Sequence, residues 1–165
     1  MEFTVTQGNI ANQCADALAT AAGTSLMMDT GGTGTALLAA GGEALGKEAV
    51  ERGPIELGEV AVTDAYGLDA EYVIHAAAAP FGGDARAETI RRAVGNTLET
   101  ADELGCHDVV MPAIGCGRAG FDIDAGGGLI CTELDAFEPE TLADVTLIGY
   151  TDTEYAALQR VVNRF

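Results

Sequence analysis

The residues best placed to do chemistry lie in one stretch, Ala113-Ile114-Gly115-Cys116-Gly117-Arg118-Ala119-Gly120-Phe121, which joins a thiol and a guanidinium to glycines at 115, 117 and 120. Glycine lets a backbone take positive φ and lets a ligand approach without a side chain in the way. The stretch leaves an apolar run, Val109-Val110-Met111-Pro112, and heads into a helix-like segment. A Gly-rich turn between a strand and a helix gathers backbone N–H groups at the positive end of the helix dipole, which holds phosphate without lysine. The same glycines would equally serve a tight connection in which they only relieve strain. A second cluster, Asp29-Thr30-Gly31-Gly32-Thr33-Gly34, also precedes a helix-like pattern and tips the balance toward a ligand.

The individual side chains are less telling. A thiol near a helix N-terminus can have a lowered pKa and act as a nucleophile, but no base partner for Cys116 can be named from the sequence. Arg118 suits a phosphate by guanidinium geometry and suits a solvated loop as well. His75, in an apolar strand, reads as structural, and His107 follows a helix end whose dipole it can meet. Cys14, Cys106 and Cys131 are scattered without a C-x-x-C pair, which argues against zinc or a disulfide framework. They fit small buried hydrophobes, and no metal or cofactor is expected.

At 165 residues the chain has the length of one domain, expected to span 1–165. There are 26 acidic residues against 8 basic ones, Lys47 is the single lysine, and the net charge is −18. That balance argues against binding a nucleic-acid backbone, where Lys and Arg supply most of the affinity. It is similar to the surfaces of proteins from salt-loving archaea, so a halophilic character is expected. No apolar run of about 18 residues appears and the N-terminus enters a strand without a basic signal region, so a cytoplasmic protein with no membrane contact is expected.

The elements that must position the glycine loops follow in order. Phe3 to Thr6 alternates as a strand, while Ala15 to Ala22 is an apolar run with too few β-branched residues for a firm assignment. One helix is expected from Thr35 to about Glu51, with Leu38, Leu45 and Ala49 on one face, ended by Gly53-Pro54. Glu59 to Thr63 alternates as an antiparallel or edge strand, and Tyr72 to Ala78 reads as a strand covered on both faces. Asp84 is a candidate N-cap for a helix with Ile90, Val94, Leu98, Ala101 and Leu104 inward, closing at Gly105. Leu129, Ile130, Leu134 and Phe137 suggest another helix, although Gly126-Gly127-Gly128 would weaken its first turns. Val145 to Tyr150 is the last strand. Thr151 to Glu154 opens a final helix by a capping box, with Tyr155, Leu158, Val162 and Phe165 inward. Strands alternating with helices predict an α/β/α sandwich on a mixed, mostly parallel sheet, with the glycine loops at the carboxyl ends of strands.

In this order the motifs resemble those of the macro domain, the α/β/α module that binds ADP-ribose. The family's G-D-I reads Gly8-Asn9-Ile10, and its D-A-I-V-N-A-A-N reads Asp16 to Gly23. Its first glycine loop and alanine-rich helix resemble Thr30 to Gly34 and Ala39-Ala40-Gly41, and Y-V-I-H is kept as Tyr72 to His75. Its P-A-I-S-T-G-V-Y-G-Y loop resembles Pro112 to Phe121. The resemblance implies a ligand site formed by Gly8, Asn9, Ile10, Thr20, Ala22, Gly23, Gly31, Gly32, Thr33 and the loop Ala113 to Phe121. Gly115 to Gly120 would wrap the diphosphate, Gly31 and Gly32 would approach it from the other side, Ile10 would offer its N–H to adenine, and Phe121 would be the aromatic neighbour.

The chain departs from the family where side chains act. The acidic acceptor of the adenine amine is Asn9, the two asparagines of N-A-A-N are Thr20 and Gly23, and Thr33-Gly34-Thr35 stands where hydrolysing members often carry an aspartate. Binding of ADP-ribose or ADP-ribosylated molecules through the glycine loops is therefore expected first. An ADP-ribosyl or O-acetyl-ADP-ribose hydrolase, and a degenerate fold with a structural role, are the alternatives.

Overall fold

The computed structural model describes residues 1–165. Its strands are β1 (Glu2–Gln7), β2 (Ala17–Gly23), β3 (Val60–Asp64), β4 (Tyr72–Ala79), β5 (Asp108–Pro112) and β6 (Asp144–Gly149). The helices are α1 (Gly32–Gly41), α2 (Glu43–Arg52), α3 (Ala87–Glu103), α4 (Ile123–Ala136) and α5 (Asp152–Val162). The strands form one sheet in the order β1-β6-β5-β2-β4-β3. Every pairing is parallel except that of β3, which runs antiparallel to β4 at the edge. Helices α3, α4 and α5 cover one face and α1 and α2 the other, giving the α/β/α layers and mostly parallel sheet expected.

β2 is a central strand despite its alanines. Ala17 and Ala19 face the core under α3 to α5, while Leu18 faces the core under α1 and α2, and all three are fully buried. A strand covered on both faces has no polar alternation to show. Between β4 on one side and β5 on the other, small side chains let both helical layers approach.

The segment expected as one helix from Thr35 to Glu51 is two. Gly42 between them has φ +100°, and a Cβ on Gly41 would lie 2.6 Å from the Leu45 side chain. The break turns Leu37, Leu45 and Ala49 into the core and leaves Leu38 half-buried. In α5 the buried residues are Ala157, Leu158 and Val161 rather than the expected Tyr155, Val162 and Phe165 beside Leu158. Phe165 lies beyond the helix and packs edge-on against Phe3, ring centroids 6.4 Å apart. Gly126 and Gly127 are buried where α4 meets its neighbours: a Cβ on Gly126 would occupy the place of the Cys116 sulfur, and one on Gly127 would lie 3.3 Å from Val161.

Two polar anchors hold this frame. The Asp102 carboxylate accepts from the amides of Glu140, Thr141 and Leu142 at 3.0, 2.7 and 2.8 Å, tying the loop before β6 to α3. Those three bonds hold its carboxyl below the usual range. His75 is fully buried in β4, with Nε2 2.9 Å from Thr63 Oγ1 and Nδ1 without a partner. Burial pulls its pKa down to about 4, against a smaller opposing effect of Glu48.

The unfolded chain therefore binds a proton at His75 that the folded chain does not, between pH about 6.5 and about 4. Folding stability from this group is complete above that window and falls through it on acidification, by roughly 3 kcal/mol at the lower end. Denaturant unfolding at pH 7 and pH 4.5 should show this loss, and His75→Gln, which can keep a bond to Thr63, should flatten it. An equal loss in both proteins would place the acid sensitivity elsewhere.

Candidate functional site

Both glycine-rich loops leave carboxyl ends of neighbouring parallel strands, one after β2 and one after β5. They flank a cleft of about 600 Å³. Gly31, Gly32 and Thr33 at the start of α1 border one side, and Gly115 to Ala119 the other. Ala21, Ala22, Gly23, Pro112 and Ala113 form strand-end floor between them. Gly8, Ile10, Ile148 and Tyr150 close the end over β1 and β6, and Ala79 and Phe81 to Asp84 close the end over β4.

The conformation of the second loop is set by Gly115, with φ +85°. A Cβ there would lie 2.7 Å from Ile90 of α3 and 3.1 Å from Ala85, so only glycine fits. Within the loop the amides of Cys116, Gly120 and Phe121 bond to Ala113, Gly117 and Gly115 carbonyls, each at 3.0 Å. The Ala119 carbonyl accepts from Ala85 at 2.9 Å, which fixes the loop to the start of α3. The amides of Gly115, Gly117, Arg118 and Ala119 find no acceptor within the chain. Opposite them α1 begins without a side-chain cap, so its first-turn N–H groups are also uncommitted. Gly117 contrasts with Gly115: a Cβ there would meet no protein atom.

Arg118 spans the two loops. Its Nη1 lies 2.9 Å from where a Cβ on Gly31 would be, and it pairs with no carboxylate. The cleft thus presents neutral backbone donors from two sides and one free cation at its mouth. Such an arrangement has the chemistry to hold an anion mainly through backbone donors.

The macro domain profile matches residues 9–127. The chain belongs to the macro domain family. An uncharacterized protein of Saccharolobus solfataricus is 33% identical over 167 residues, covering 99% of this chain and 93% of that protein. An uncharacterized protein of Mycobacterium tuberculosis is 35% identical over 162 residues, 98% of this chain but 45% of that protein. The chain therefore spans about half the length of its mycobacterial relatives. A mutant of the Oceanobacillus iheyensis macrodomain, solved with ADPR, superposes with TM-score 0.87 at 20% identity, covering 98% of this chain and 92% of that one. The Trypanosoma brucei macrodomain in complex with ADP-ribose gives 0.86 at 21% identity, covering 97% and 68%. No helix of this macro domain is long and apolar enough to cross a membrane.

Five residues of the expected site do not border the cleft. The Asn9 Oδ1 caps the short 3-10 turn at Ile10–Asn12, accepting from the Ala11 amide at 2.9 Å, and Asn9 does not line the cleft. Ile114 is fully buried in the core, and Gly120 turns the chain away with φ +78°. Phe121 packs beside Gly126 instead of entering the cleft. Thr20 lies beneath Thr33, 1% exposed. The aromatics that do border the cleft, Phe81 and Tyr150, are exposed and lie outside the two glycine loops that the sequence singled out, so spacing did not mark them. Asp84 is likewise on the rim; the N-cap of α3 is Arg86.

Cys116 does not fit a nucleophile. Its thiol is pushed up to about 11, first by burial and then by the Asp122 charge. Its Sγ contacts the carbonyls of Ile114 and Asp122 at 3.8 and 3.9 Å and fills the space that Gly126 leaves. The thiol staples the loop to α4. Iodoacetamide at pH 7.5 should alkylate Cys116 at least about a hundredfold more slowly than a free cysteine, read by peptide mass spectrometry. Gly126→Ala should cost about 1–3 kcal/mol of stability by forcing Cys116 out of place. Rapid labelling, or a neutral alanine, would contradict this packing.

Proposed function

We propose that this macro domain binds ADP-ribose or a closely related nucleoside diphosphate, with the diphosphate between the two glycine loops. The observation that carries the reading is the set of uncommitted amides at Gly115, Gly117, Arg118 and Ala119 facing the uncapped start of α1. Supporting the ligand class, solved macrodomains of similar fold are recorded with ADPR, ADP and ADP-ribose. Gly31 and Gly32 contact the diphosphate from the α1 side, and the Ile10 amide, which has no acceptor in the chain, meets the base.

The acidity of the chain shapes this mechanism. With one lysine and a net charge of −18, an anionic ligand must be held chiefly by dipoles. Salt screens a charged lysine site strongly, since the Debye length is about 3 Å at 1 M, but it does not remove a backbone donor. Binding should persist in the high salt to which an acidic, halophilic surface would be adapted. Hydrolysis of ADP-ribosyl bonds is not favoured. Of the cleft carboxylates, Glu154 already accepts from the Tyr150 amide at 2.8 Å, and Asp84 is exposed on the rim.

Calorimetric titration with ADP-ribose in molar salt tests the reading. Gly117→Val should abolish binding without unfolding the chain, because the added side chain meets ligand and not protein. Arg118→Ala should weaken binding only modestly, by about 1 kcal/mol for an exposed ion pair. Loss of binding in Arg118→Ala with retention in Gly117→Val would reverse the assignment. Release of ADP-ribose from a modified protein should be weak or absent in the same buffer.

A further inference from the structure

The strand order lays out the cleft from end to end. Ile10 and Ile148 lie over β1 and β6, the glycine loops leave β5 and β2 at the centre, and the turn after β4 closes the far end. On the reading above, a nucleotide with its base at Ile10 and its diphosphate at the centre points its second sugar toward that turn. Whatever the sugar carries meets the segment Pro80 to Asp84, every residue of which borders the cleft.

That segment holds one aromatic ring in the open. The Gly83 amide donates to the Pro80 carbonyl at 2.8 Å, closing a tight turn in which Gly82 takes φ +72°. The turn packs on the end of β2, where a Cβ on Gly23 would lie 3.4 Å from the Phe81 Cα. Beyond it the Ala85 amide donates to the Ala119 carbonyl, which ties Asp84 beside the second glycine loop. The backbone of Phe81 is thus held at both ends while its side chain stays 59% exposed. Asp84 is exposed three residues on and pairs with no cation.

An open aromatic face and a free carboxylate on one short segment complement a flat nitrogen heterocycle. The face stacks on the ring, and the carboxylate accepts from an edge N–H or balances a ring cation. A saturated group gains neither contact, and a further phosphate would meet Asp84 with like charge. Stacking also needs no lysine, which suits a chain that has one.

We propose that Phe81 and Asp84 form a subsite for a second base, so that the cleft prefers dinucleoside diphosphates over ADP-ribose itself. The inference rests on the nucleotide-binding reading above and names the ligand class of that site.

The test is calorimetric titration of ADP-ribose, NAD⁺ and diadenosine diphosphate in molar salt. The two dinucleotides replace the anomeric hydroxyl of ADP-ribose by a ring, cationic in NAD⁺ and neutral with an amine edge in the other. Wild type should bind at least one of them about tenfold more tightly than ADP-ribose, the scale of one base stacked on an aromatic side chain. A gain shared by both marks recognition of the ring face, and a gain confined to one marks its charge or its amine edge. Phe81→Ala should bring the ratio within about twofold of unity, Phe81→Tyr should keep it, and Asp84→Ala should narrow it about threefold. Each ratio is taken within one protein, so a general weakening of the cleft cancels. A wild type that binds all three alike, or a Phe81→Ala protein with the ratio intact, overturns the inference and leaves the nucleotide reading standing. A wild type that binds none of them overturns that reading as well.

Discussion

The site depends on the close approach of Gly115 to Ile90. A strand that ends at Pro112 must turn at once, and α3 presses on that turn so that no side chain fits. The positive φ at Gly115 directs the following residues into a loop whose own hydrogen bonds use only three of its amides. Ala85 holds the loop to α3, and the Cys116 thiol holds it to α4 through the space left at Gly126. Four other amides are left without acceptors by this packing. Rigidity here comes from covalent geometry and contact with the core, and the donors need no charged side chain to aim them.

That solution suits an acidic chain. A lysine-built phosphate site would stand among 26 carboxylates and would weaken as salt rises. Amides keep their dipoles at any ionic strength, and the dipole of α1 adds to them from the opposite side. Arg118, lying across to Gly31, supplies the one unpaired cation at the mouth, where solvent limits its contribution.

The alternation of helices and strands along the chain and the two glycine loops were legible in the sequence because periodicity and glycine placement are local signals. Three features were not local. β2 has a single β-branched residue, Thr20, and burial on both faces, not propensity, makes it a strand. The break at Gly42 looked like a continuing helix, since glycine in a periodic pattern does not announce its φ. Gly126 and Gly127 are explained only by Cys116 and Val161, which pack on them from another loop and another helix. Within the site, Asn9 and Phe121 match the family motif by position, yet one caps its own turn and the other packs on α4. Motif position therefore does not report whether a side chain reaches the cleft, because its local packing decides that.

The central claim is that uncharged amides of the 115–119 loop and the first turn of α1 hold the anion. Amide chemical shifts followed by heteronuclear NMR during an ADP-ribose titration in molar salt test it most directly. The account predicts large, saturable shifts at Gly32, Thr33, Gly115, Gly117, Arg118 and Ala119, and little change at Cys116, Gly120 and Phe121, whose amides are already bonded. Saturable binding that leaves the first group unmoved would contradict it.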